Sequence, residues 1–91
     1  METNPWKDFF SRWPAEMQRH GILVTAFNEQ IPFSGFWLGE QFLLLERQMP
    51  DSLGSRSLVF SFEQIVALKI TDVLKPKQLK AVGFETGTVK T

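Results

Sequence analysis

Apolar positions along the chain change period twice. Trp6, Phe9, Phe10 and Trp13 fall at i, i+3, i+4 and i+7, the spacing of one helical stripe, with Lys7, Asp8, Ser11 and Arg12 between them. Asn4 before Pro5 is a good N-cap followed by a favoured first helical residue, so a helix is predicted over about 4–13. Pro14 would end it or kink it. The segment 15–21, "AEMQRHG", predicts a further short turn with Gly21 just beyond its end.

From residue 22 the pattern is that of strands. "ILVTAF" (22–27) is apolar on both faces, "IPFSGFWL" (31–38) carries Gly35 in its middle, and "FLLLERQ" (42–48) is aliphatic. "RSLVFSF" (56–62) alternates with period two, as does "VALKIT" (66–71), where Val66, Leu68 and Ile70 share one face. "NEQ", "GEQ", "QMPDSLGS" and "EQI" separate them as turns or corners. Beyond residue 72 periodicity is lost. Pro76 and Gly83 bracket a short helix holding Leu79 and Val82, and "ETGTVKT" is expected to fray. One domain over 1–72 is therefore expected, followed by a tail over 73–91. The fold class expected is mainly β: an N-terminal α-helix, then a five-stranded, strongly bent small β-barrel. Glycine inside a strand often marks a sharp bend, so Gly35 is expected where the second strand passes from one side of the barrel to the other.

Composition narrows the function. The chain has 91 residues and ten basic against ten acidic side chains. Its neutrality excludes the strong overall field of an electrostatically driven nucleic-acid binder. The distribution is uneven: residues 1–71 hold six basic and eight acidic groups, whereas 72–91 hold Lys75, Lys77, Lys80 and Lys90 against Asp72 and Glu85. With no cysteine there is neither a disulfide framework nor thiolate chemistry. No leader or membrane span is read, and a cytoplasmic protein without membrane association is expected.

Candidate chemistry is sparse. His20 is the only histidine, and no His, Cys, Asp or Glu group shows metal-ligand spacing. "GFWLG" and "GEQ" are not followed by the Lys-Ser/Thr of a phosphate-cradling loop. No cofactor and no enzymatic activity are expected. The Trp6, Phe9, Phe10, Trp13 stripe has three readings: a lid over the open end of the barrel, a partner-binding face, or a membrane-interface face. Phe33, Phe36, Trp37 and Phe42 are candidates for base stacking, with core packing as the alternative.

The order of elements also resembles a family. A leading helix, five bent strands, a glycine within the second, an "EQF" corner (Glu40, Gln41, Phe42), an aliphatic third strand and a short "EQI" corner before the last strand resemble the Sm-like fold, nearest its Hfq branch. The resemblance covers about residues 4–72. It implies a homo-oligomeric ring joined through the fourth and fifth strands, which makes Leu58, Val59, Phe60, Val66 and Leu68 the interface candidates. It also implies RNA held at Gln41 and Phe42. The Lys-His pair of that branch is absent here, where Ser61, Phe62 and Glu63 stand. Arg12, Lys75, Lys77 and Lys80 are the candidate phosphate contacts. Two functions follow: an oligomeric RNA-binding module, or an oligomeric scaffold for a protein partner with no nucleic-acid ligand.

Overall fold

Phe10 is the pivot of the core. It is only 1% exposed, stacks on Trp13 at 5.9 Å and meets the edge of Phe36 at 5.0 Å, while Trp13 meets Phe36 at 5.2 Å. Phe36 in turn contacts Phe33 at 6.2 Å, so one aromatic cluster ties the N-terminal helix to the strands. Packing against the strands thus accounts for Phe10 and Trp13. Trp6 and Phe9 are only partly buried against the same core.

The computed structural model describes residues 4–87. Helix α1 spans Pro5–Ser11, with the Asn4 carboxamide oxygen accepting from the Trp6 N–H at 2.8 Å. It stops short of the predicted residue 13. Pro14 disfavours helical backbone in the residue before it, so Trp13 completes the stripe from the turn after the helix. Six strands follow: β1 Gly21–Thr25, β2 Gln30–Phe33, β3 Gly35–Leu38, β4 Phe42–Glu46, β5 Ser57–Ser61 and β6 Ile65–Lys69, with a single 3-10 turn at Phe62–Gln64 between the last two. All pairings are antiparallel. They form two three-stranded sheets, ordered β2-β1-β6 and β3-β4-β5. The protein is therefore mainly β with an N-terminal helix. Among the described residues the two sheets do not close into a barrel, because β5 and β6 do not pair.

The apolar run 31–38 is divided between the sheets. Phe33 pairs with Gly21 in one and Gly35 with Glu46 in the other, so the chain changes sheet at Ser34, beside the expected glycine. Gly35 does not adopt positive φ. What it supplies is space: a Cβ there would lie 3.1 Å from Glu46 Oε2, and the Glu46 carboxylate uses that room to accept from Trp37 Nε1 at 2.8 Å. Gly21 is not the residue after a helical turn. It begins β1, where a Cβ would stand 2.9 Å from the backbone oxygen of Lys69 and 3.3 Å from Phe33.

The inner positions Leu23, Ile31, Phe33, Phe36, Leu43, Leu45, Phe62 and Ile65 complete the core. The alternation expected in β6 is displaced. The register shifts at Val24/Thr25 of its partner strand, so Ile65 and Leu68 face the core while Val66 turns outward.

The segment after β6 returns to α1. Helix α2, Pro76–Ala81, ends at Val82, and Gly83 at φ +111° makes the left-handed turn beyond it, as Pro76 and Gly83 predicted. Phe9, Trp13, Pro14 and Met17 meet Ile70, Leu74, Gln78 and Val82 along a seam, and His20 Nε2 sits 3.0 Å from Asp72 Oδ2. Residues 88–91, including Lys90 and most of the segment expected to fray, lie outside the described residues. No described helix is long and apolar enough to cross a membrane.

Candidate functional site

Three surfaces contain the residues singled out from the sequence. The first is the corner between β3 and β4. Gly39 N–H donates to Phe42 O at 2.9 Å, closing a tight turn that holds Glu40 and Gln41 outward. Phe42 opens β4 opposite Ser61 of β5 and is 53% exposed, so it is not a core residue. Ser61 Oγ caps the following 3-10 turn by accepting from the Glu63 N–H at 3.2 Å. The corner thus presents an exposed ring and carboxamide, with an exposed carboxylate at Glu63 where the resembled branch carries cations. One cation does reach it. Lys7 of α1 donates to Glu40 O at 2.8 Å, a neighbour that its position in the chain does not disclose. Arg12 does not reach it: its guanidinium pairs with Asp8 at 3.2 Å and lies beside Gly83.

The second surface comprises the ends of the two sheets. β5 pairs only with β4, and β6 only with β1, so each presents one unpaired edge five residues long. Neither strand contains proline, and the only charge in either is Lys69 at the end of β6, whose ammonium donates to Gln30 Oε1 at 3.0 Å. Of the five interface candidates, Leu58, Phe60 and Leu68 are partly buried against the chain's own core, which leaves Val59 and Val66 as its exposed members. On the outer face of β3-β4-β5, Trp37, Leu44 and Val59 align across the strands into an apolar row. Of the candidate stacking residues, Phe33 and Phe36 are buried, whereas Trp37 and Phe42 are exposed.

The third surface is α2. Lys75, Lys77 and Lys80 are all exposed, and none forms an ion pair among the described residues. Lys75 takes the N-cap position, where its backbone N–H donates to Gln78 Oε1 at 3.0 Å.

Chemistry beyond binding has little material here. Among the described residues, no three His, Cys, Asp or Glu side chains come together as metal ligands. The carboxyl held clearly below its ordinary pKa is Asp51. It accepts backbone N–H bonds from Ser55 and Leu53, each at 2.9 Å, and so organises the β4–β5 loop. No protein family, curated protein or solved structure matches the chain.

Proposed function

We propose that this chain is a non-enzymatic, Sm-like small β-barrel module that acts as a homo-oligomer, with β5 of one copy pairing with β6 of the next. The observation that carries this reading is the pair of unpaired edges on which the two sheets end. An unprotected edge is a row of unmatched N–H and C=O groups that favours strand addition, and these two lack the prolines and inward charges that block it. Because the two edges belong to different strands, the contact is head to tail, which produces a closed ring if the rotation closes. Each free edge is then covered by a different neighbour, β5 by the β6 of one copy and β6 by the β5 of another.

For the ligand, the exposed Phe42 and Gln41 favour single-stranded RNA, since an accessible ring can stack a base whatever its identity. The scaffold reading is favoured by a different observation, the apolar Trp37–Leu44–Val59 row, which suits a protein surface. Native mass measurement of the purified protein, alone and with short oligo-U, tests both. The expected result is a discrete oligomer that gains the mass of RNA. A monomer at tens of micromolar, where an interface with a Kd near ~1 μM is occupied, would overturn edge pairing. An oligomer that takes up no RNA leaves the scaffold.

A further inference from the structure

Helix α2 ends in a hydrogen-bond arrangement that fixes the side chain after it. Gly83 N–H donates to Lys80 O at 3.2 Å and Phe84 N–H donates to Leu79 O at 3.0 Å. These are the two bonds of a Schellman motif, which characteristically brings the residue two beyond the cap against the last turn of the helix. Phe84 is therefore held beside Leu79, and Phe9 of α1 meets its ring edge-on at 6.5 Å. Yet the ring is 55% exposed. It forms one wall of a cleft of about 470 Å³ whose other walls include Pro76, Leu79, Lys80 and Glu85. That volume lies within the ~300–1,000 Å³ of small-ligand sites.

We infer that this cleft receives a base of single-stranded nucleic acid, stacked on Phe84, with the adjoining phosphates held by Lys80 and Lys77. An oriented aromatic face beside unpaired ammonium groups matches the two chemistries of a nucleotide unit, a π-face and an anion. Lys77 and Lys80 are three apart on the helix and so neighbours on one side of it, and neither is neutralised by a described carboxylate. The row of cations continues out of the cleft through Lys77, whereas Arg12, across the helix end beside Gly83, is already paired with Asp8. A strand can use cations beyond one nucleotide's reach; a free nucleotide cannot. Glu85 opposes phosphate in its own part of the cleft and so directs the backbone toward Lys77. The described walls of the cleft all come from one chain. It requires neither edge pairing nor the Gln41–Phe42 corner, and α1 supplies its backing only because the tail folds back onto it.

The test is fluorescence anisotropy of short labelled oligo-A and oligo-U at two salt concentrations, with sedimentation of each variant run in parallel so that loss of assembly is seen separately. Phe84→Ala is expected to weaken binding by about 5- to 150-fold, the range of one stacked base, and Phe84→Trp to preserve it. The Lys77→Ala/Lys80→Ala pair, which alters exposed positions only, is expected to flatten the slope of log affinity against log salt by about 1.4, or ~0.7 per phosphate contact on a single strand. Glu85→Gln is expected to tighten binding. The inference is overturned if Phe84→Ala binds as wild type or if the lysine pair leaves the slope unchanged. It is also overturned if polyglutamate competes as well as the oligonucleotide, if AMP binds as tightly as the strand, if only Phe42→Ala abolishes binding, or if neither oligonucleotide binds at low salt.

Discussion

Gly21 and Gly35 should respond differently to the same substitution, because an added Cβ meets a backbone oxygen at one and a movable side-chain end at the other. Any Gly→Ala change at a compatible site stabilises by ~0.4–1 kcal/mol, because alanine restricts the unfolded chain. At Gly35 the added methyl would lie 3.1 Å from Glu46 Oε2, the far end of an exposed side chain that can move a few tenths of an ångström. The loss is then confined to a solvent-exposed Trp37–Glu46 hydrogen bond, and Gly35→Ala should be neutral or stabilising by up to ~1 kcal/mol. At Gly21 the methyl would lie 2.9 Å from a backbone oxygen, Lys69 O, and 3.3 Å from the buried Phe33 ring. Neither can retreat without separating β1 from β6 or disturbing the core. Overpacking of this kind costs ~1–3 kcal/mol, so Gly21→Ala should be net destabilising by ~1–2 kcal/mol after the entropic gain. For a domain of this size that lowers Tm by ~4–16 °C, at ~4–8 °C per kcal/mol. Thermal melts followed by far-UV circular dichroism at one matched protein concentration measure the difference, since an assembling protein has a concentration-dependent Tm. A Gly35→Ala melt lowered as far as that of Gly21→Ala would refute the reasoning and return Gly35 to the role of an obligatory bend residue.

Three further outcomes are expected. Phe10→Ala removes the ring between Trp13 and Phe36 and should cost ~3–5 kcal/mol, read from the urea midpoint; a cost below ~1 kcal/mol, the level of a surface change, would place the centre of the core elsewhere. If the chain assembles through these edges as proposed, Val59→Asp with Val66→Asp puts like charges on the two exposed edge positions and should yield a folded monomer in sedimentation, whereas an unchanged oligomer would show that assembly uses another surface. Asp51 has a depressed folded pKa, so its contribution to loop order is fully present above the ordinary carboxyl value of 3.8 and is lost as pH falls through the lowered value. Amide exchange at Leu53 and Ser55 should accelerate below that pH relative to Asp51→Asn, and identical acid profiles in the two proteins would remove Asp51 as the cause.

Much of the local architecture is legible without coordinates. Asn4 and Pro5 start α1, Pro76 and Gly83 bound α2, and apolar patterning places the strands to within a residue or two, except that the run 31–38 is two strands in different sheets rather than one. These signals are legible because each depends on groups only a few positions apart. The candidate sites were legible less evenly. Gln41 and Phe42 stand out as a motif, and Phe42 proves exposed. The contact of Phe9 with Phe84 that backs the cleft and the reach of Lys7 to Glu40 are silent in the sequence, because each joins residues more than thirty positions apart.

Sequence alone therefore determined the two helices and most strand positions, the neutral charge and the basic excess of the tail. Tertiary structure decided which residues those elements bring together. Val66 is the extra residue of β6, left unpaired where Val24 and Thr25 of β1 face Ala67 and Ile65, and this irregularity depends on pairing between strands some forty positions apart, which periodicity within one strand cannot encode. The demand for small size at Gly21 came from Lys69 and Phe33, one packed from each neighbouring strand. The gap between β5 and β6 was likewise set by how the two sheets face each other, since each strand satisfies its own local pattern whether or not the other lies beside it.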